Sequence, residues 1–175
     1  MKFEPFQDRL SRDIRNELSR AFGAGVEQGS FAPVQVVADR YLTQDLEACY
    51  REYIENRLVL YKRAFEQIKG GKSDMFWRAL VLWDLGLFFE VHEILEQEWR
   101  RAEGDKKVIV QAMIRAAGAY IKLEYGYAAA AAKMAAKALP VLEKHREFFS
   151  RYFEPATLIQ GLQDLKRPPP RLLAG

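Results

Sequence analysis

The sequence predicts an all-α protein, an antiparallel helical bundle of about seven helices. Apolar residues recur at helical spacing through every long segment, as Tyr50, Ile54 and Tyr61 do in one of them. The valine-rich run at 34–37 lacks the turn pairs that flank hairpin strands. Glycine or proline separates the helical segments, and connections this short favour antiparallel neighbours.

Composition narrows the class of protein. The 175 residues, 49% of them hydrophobic, are enough for one domain or for a compact domain with an extension. The 27 basic and 24 acidic residues are mixed along the chain, which argues against nucleic-acid binding. Because no apolar run is long enough to span a membrane, we expect a soluble, cytoplasmic protein without membrane contact. The single cysteine excludes an intramolecular disulfide.

We divide the chain into an N-terminal helical extension packed on the core (1–74), a helical core (75–153) and a C-terminal helix with a proline-rich tail (154–175). The extension is predicted to hold helices at 8–22, 33–41 and 43–68. Gly23 and Gly25 end the first of these, Pro33 opens the second and Thr43 caps the third. The aromatic stripe of the third helix is interpreted as core, although its length leaves a homodimer open.

In the rest of the chain, glycine and proline residues mark most of the predicted helix boundaries. Ser73 is predicted to cap a helix, and Gly86 to permit a bend before the next. Further helices are expected at 105–125, 128–139 and 155–165, with Pro140 near a kink or break. The segment 167–170, Arg-Pro-Pro-Pro, is expected to lie extended across the surface.

The segment 86–99, GLFFEVHEILEQEW, carries the most chemistry. Phe88, His92, Glu96 and Trp99 fall on one face of a helix, since steps of three and four residues stack along it. We expect Phe88 and Trp99 to be core aromatics. Glu90 is expected to be a solvated helix charge. His145, in the charge run EKHRE, is expected to be exposed.

These residues resemble a family of small all-helical, mostly prokaryotic proteins, the domain of unknown function 309 family. Its signature is an aromatic pair and E-x-H-E-x-x-E-x-x-W, followed by a helix close to Q-G-L-I-Q-x-A-x-x-Y. The first part is matched from Phe88 to Trp99, and the second by Gln111, Ile114, Ala117 and Tyr120. The chain departs from the pattern at Ala112, Arg115 and Tyr127. The resemblance implies an all-helical fold and brings no established activity.

A second polar stripe lies on the helix after Gly104. Gln111, Arg115 and Lys122 fall on nearly the same side as Gly118, which leaves a gap between the two basic residues. If this helix packs on the His92 helix, Arg115 faces Glu96.

Three interpretations of this constellation stay open. The favoured one is structural: His92 and Glu96 form an i,i+4 hydrogen-bonded pair that Arg115 neutralises. The second is a pocket for a small polar or anionic ligand or a protein partner, without enzymatic activity. The third is an enzyme that uses His92 and Glu96 as an acid–base pair or a partial metal site. The ligand-binding candidates are His92, Glu93, Glu96, Trp99, Gln111, Arg115 and Lys122; no catalytic residue is assigned, and no metal or cofactor is predicted.

Overall fold

The computed structural model describes residues 2–72 and 74–173 and confirms the predicted all-α class. The described residues form nine helices and no strand. The helices are α1 (Arg9–Gln28), α2 (Ala32–Leu42), α3 (Ala48–Lys69), α4 (Met75–Asp84), α5 (Phe88–Arg101), α6 (Gly104–Glu124), α7 (Ala128–Lys144), α8 (Arg146–Phe149) and α9 (Pro155–Gln163). No helix among the described residues is both long and apolar enough to cross a bilayer.

The chain forms two compact units, residues 1–72 and residues 73–175. In the first unit α1, α2 and α3 pack pairwise on one another. The predicted stripe of α3 lies in this core: the Tyr61 ring stacks on Phe22 at 4.6 Å, and the Phe65 ring meets Phe31 edge-on at 5.9 Å. The aromatic side of α3 is therefore engaged by α1 and by the residue preceding α2.

The end of α1 was predicted wrongly at Gly23 and Gly25. The helix continues through both residues and ends at Gly29, which adopts a left-handed conformation with φ 67°. Gly25 serves packing instead, because a Cβ there would lie 2.6 Å from the carbonyl oxygen of Ser30. At the other end, the Asp8 carboxylate caps the helix by accepting from the Leu10 and Ser11 amides at 3.3 and 2.8 Å.

The start of α3 was also predicted wrongly. Thr43 does not cap this helix, since its hydroxyl donates back to the Arg40 carbonyl at 3.1 Å and the residue ends α2. The chain then runs through Gln44 and Leu46 before α3 begins at Ala48. The sequence could not show whether Thr43 begins α3 or ends α2, because a threonine hydroxyl can form hydrogen bonds with the backbone at either end of a helix.

In the second unit α6 packs most extensively against α5 and α7. Gly86 and Gly126 take positive φ angles of 72° and 84° at the turns before α5 and α7, in agreement with the predicted breaks. The predicted cap Ser73 lies outside the described residues. Asp74 caps α4 by accepting from the Phe76 amide at 2.8 Å.

The alanine-rich segment is a continuous helix beyond Pro140. α7 extends to Lys144, so the helix does not end near 139, and of the kink or break predicted at Pro140 the break does not occur. Pro140 is exposed and removes only one intrahelical bond donor, a cost that the packing of α7 can offset. The buried face of α7 consists of Ala131, Ala135, Ala138 and Leu142.

The proline-rich tail is non-helical as predicted and is anchored to α4. The Trp83 indole N–H donates to the Pro170 carbonyl at 2.8 Å. The Asp84 carboxylate accepts from the Leu172 and Leu173 amides at 2.6 and 2.9 Å, and the Leu172 side chain is buried. The tail therefore belongs to the packed structure of the second unit.

Candidate functional site

The amphipathic helix α5 presents the first predicted set of site residues. Phe88, Val91 and Leu95 are buried, while the side chains of His92, Glu93 and Glu96 keep 31%, 41% and 37% of their surface exposed. The candidate cluster therefore lies at the surface, where a ligand can reach it. The structural interpretation favoured by the sequence expected a partly buried cluster, and this degree of exposure is compatible with it.

His92, Glu93 and Glu96 form a triad of metal-ligand type. Each residue offers one donor atom, and these three atoms all lie within 4.8 Å of one another. The His92 Nδ1 atom is 3.3 Å from Glu93 Oε1, so the hydrogen-bond partner of the imidazole is Glu93 and not the predicted Glu96. Glu96 is paired with Arg100 on the same helix at 3.5 Å.

Trp99 lies at the end of α5, next to the connection to α6. Its ring is partly buried and carries the Lys107 ammonium group 4.6 Å from the ring centroid, a cation–π contact. Nearby, Glu98 pairs with Lys106. Trp99 is thus less buried than a core residue, and these contacts fix the α5–α6 turn.

The predicted partner stripe on α6 does not join the triad. Gln111, Arg115 and Lys122 are all partly exposed, and Arg115 forms no ion pair with Glu96 in the described part of the chain. The gap predicted at Gly118 is filled, because a Cβ there would lie 2.2 Å from Cε of Met134 in α7. Lys122 approaches the ring of Tyr127, the residue before α7, at 5.2 Å. This side of α6 is therefore directed toward α7.

Glu90 was wrongly expected to be solvated. The residue is only 2% exposed and is engaged within the protein. Burial of an acid in the first turn of a helix is compatible with the positive end of the helix dipole.

An aromatic cluster supports α5 from beneath. The Phe88 ring meets Trp83 edge-on at 5.1 Å and stacks on Tyr120 at 5.3 Å, which confirms Phe88 as core. The Tyr120 hydroxyl is buried and makes no hydrogen bond among the described residues. Burial raises the pKa of Tyr120 to about 12.

The structure also shows a cavity that sequence reasoning missed. It has a volume of about 330 Å³ and is lined by Lys144, His145, Glu147, Phe148 and Arg151. His145 was expected to be exposed, yet it is partly buried in the wall of this cavity. The alternation of charged and aromatic residues in EKHREFFSRYF was the available signal, but it is also the pattern of an ordinary amphipathic surface.

Comparison with known families supports the resemblance. Residues 76–134 match the model of the family described as "Domain of unknown function (DUF309)". This segment covers about one third of the chain, runs from α4 into α7 and contains all seven predicted site residues. The resemblance predicted from the sequence is thus confirmed for this segment, and the family's description assigns no activity. No curated protein and no solved structure matches the chain.

Proposed function

We propose that this protein is a non-enzymatic binding protein and that the α5 triad holds a small cationic ligand, in the first instance a divalent transition-metal ion. The observation that carries the proposal is the convergence of one imidazole and two carboxylates within 4.8 Å on a partly exposed helix face. The ligand class departs from the small polar or anionic one expected from the sequence, because Arg115, which was predicted to face Glu96, forms no ion pair with it among the described residues.

The spacing within the triad suits one metal ion. Zinc bonds to nitrogen and oxygen of about 2.0–2.2 Å place neighbouring tetrahedral ligands about 3.3–3.6 Å apart. His92 Nδ1 and Glu93 Oε1 already have this separation, 3.3 Å. Glu96 lies one helical turn beyond His92, and rotation of its exposed side chain can bring the carboxylate to the same ion.

The donor set selects the kind of metal. Imidazole nitrogen favours Zn²⁺, Ni²⁺, Cu²⁺ and Co²⁺, whereas Mg²⁺ and Ca²⁺ prefer all-oxygen sites. Three ligands from one helix leave the remaining coordination positions to water. We therefore expect an open site of modest affinity for ions such as Zn²⁺ and Ni²⁺.

Calorimetric titration of the purified protein with Ni²⁺ and Zn²⁺ tests the proposal. We expect one site per chain whose affinity falls by about tenfold or more in His92→Ala and Glu96→Gln, since each removes one ligand. The matched control is His145→Ala, which removes the other histidine of the chain and should leave the affinity unchanged.

A second variant tests the triad without removing a ligand. Arg100 competes with the metal for Glu96, to which it is paired at 3.5 Å. Arg100→Gln should therefore raise the affinity for Ni²⁺ by a few-fold, an effect of surface-pair size. Binding that survives His92→Ala, or that responds equally to His145→Ala, would show that the triad is not the site.

The runner-up is an enzyme that uses His92 as a general base. Its support is the contact of Nδ1 with Glu93, which orients the ring and leaves Nε2 without a hydrogen bond among the described residues. Metal binding is better supported because Glu93 and Glu96 both converge on the imidazole. A protein partner at this face, a homodimer and a cytoplasmic location stay predictions.

A further inference from the structure

The cavity at the end of α7 has the size and lining of a small-ligand site. Its volume of about 330 Å³ falls at the lower end of the usual range for ligand pockets, about 300–1,000 Å³. Lys144 and His145 close α7, Glu147 and Phe148 lie on α8, and Arg151 follows α8. All five residues belong to the second unit and are separate in sequence from the α5 triad.

The basic groups of this cavity are not neutralised. Lys144 and Arg151 form no ion pair among the described residues, and neither does the single acid of the lining, Glu147. Arg146, between them in sequence, is paired with Glu143 at 2.7 Å and does not line the cavity. Two basic side chains and a histidine therefore line the cavity together with one carboxylate.

Arg151 is held in position before any ligand arrives. Its Nε donates to the Phe148 carbonyl at 3.4 Å, and its guanidinium carbon lies 4.5 Å from the centroid of the Phe148 ring. Phe148 is itself fixed edge-on against Phe76 at 5.5 Å. This arrangement leaves the terminal guanidinium nitrogens available to an anion and lowers the entropy lost on binding.

We infer that this cavity binds a small organic anion that carries one carboxylate group and an apolar ring. The carboxylate lies between Arg151 and Lys144, and the ring packs on the accessible part of Phe148. Glu147 repels a second negative charge, so a monoanion is favoured over a phosphate dianion. This anionic ligand is opposite in charge to the cation that we propose for the α5 triad.

Titrations with benzoate, acetate and inorganic phosphate, followed by amide chemical shifts at constant ionic strength, test this inference. We expect saturable shifts of the cavity residues with benzoate and affinity for acetate that is lower by about fivefold or more, because acetate lacks the ring. Phosphate should bind more weakly than benzoate. Arg151→Gln and Lys144→Gln should each weaken benzoate binding by about tenfold.

Matched variants separate this site from general charge effects and from the α5 triad. Arg146→Gln removes one positive charge next to the cavity without changing its lining, and His92→Ala removes the triad, so both should leave benzoate binding intact. Arg151→Lys keeps the charge but loses the planar fork and should bind at intermediate strength. Failure to saturate, equal losses in Arg146→Gln and Arg151→Gln, or tighter binding of phosphate than of benzoate would overturn the inference.

Discussion

At the scale of single residues, two tyrosine hydroxyls in the second unit meet opposite environments. The Tyr120 hydroxyl is buried without a hydrogen bond among the described residues. The Tyr152 hydroxyl donates to the Asp74 carboxylate at 2.7 Å. A buried polar group without a partner costs about 1–3 kcal/mol, whereas a formed hydrogen bond contributes about 0.5–1.5 kcal/mol. The same chemical change should therefore have opposite effects at the two positions.

We predict that Tyr120→Phe raises the free energy of unfolding by about 1 kcal/mol, because it removes the unpaired hydroxyl and keeps the ring against Phe88 and Trp83. Tyr152→Phe is the matched control and should lower that energy by a similar amount. Urea denaturation followed by circular dichroism measures both. A loss of stability in Tyr120→Phe would mean that the hydroxyl has a partner, such as a bound water molecule.

Residue identity predicted some of these environments and missed others. Phe88 was correctly placed in the core, because an aromatic at helical spacing has few other places in a small helical protein. Glu90 was not, since a carboxylate is exposed by default and only the actual neighbours of α5 show that this one is buried. The partner of His92 was also missed, because Glu93 and Glu96 are both within reach of an imidazole and spacing does not choose between them.

At the scale of elements, the buried face of α7 consists largely of small side chains, and α6 is the helix on which α7 packs most extensively. Ala131, Ala135 and Ala138 are buried, whereas Ala132 and Ala136 on the same helix are exposed. Gly118 on α6 touches the tip of Met134, which also shows how close the two helices approach. Alanine suits these buried positions because they have little space for a larger side chain, and it also has a favourable helix propensity.

We predict that Ala135→Leu lowers the free energy of unfolding by about 1–3 kcal/mol, because the added carbon atoms have to enter the buried face of α7 and displace the atoms packed there. Ala136→Leu, one residue away and exposed, should stay within about 0.5 kcal/mol of the unchanged protein. Thermal unfolding of both variants makes the comparison. Equal stabilities would show that α6 and α7 have room for the larger side chain.

The helices themselves were predictable, and their ends less so. Apolar spacing located each of the longer helices, since that spacing reflects the face that must be buried. Gly23 and Gly25 were misread as an end of α1 because glycine serves both as a helix stop and as a point of close contact. At Pro140 a kink or break was predicted, and the helix does not break there because a single proline on an exposed face can be tolerated in a well-packed helix.

At the scale of the whole molecule, the order of the helices in the sequence could not predict which of them would carry each group of candidate site residues. α6 packs most extensively on α5 and α7, and periodicity does not say which of these helices receives a given stripe. The Arg115 stripe was assigned to α5, but Gly118 and Lys122 have their contacts at α7. The acids of the triad lie together on α5, while Lys144 and Arg151, which form no ion pair among the described residues, line the cavity at the end of α7.

Both units contain tyrosines that resist ionisation. Burial and the hydrogen bond to Asp8 raise the pKa of Tyr50 to about 12 from the usual 10.0. Burial raises the pKa of Tyr120, and burial with the bond to Asp74 that of Tyr152, likewise to about 12. Unfolding returns all three groups to the ordinary pKa, so between these two values the folded state binds more protons than the unfolded state.

When the folded state binds more protons, the free energy of unfolding falls as the pH rises, so we predict a progressive loss of stability from about pH 10 to about pH 12. Urea denaturation at a series of pH values measures the slope. Tyr120→Phe and Tyr152→Phe should each flatten it, because each removes one of the three groups whose pKa is raised. A slope that is the same for all three proteins would contradict this assignment, because alkaline unfolding would then arise from other groups.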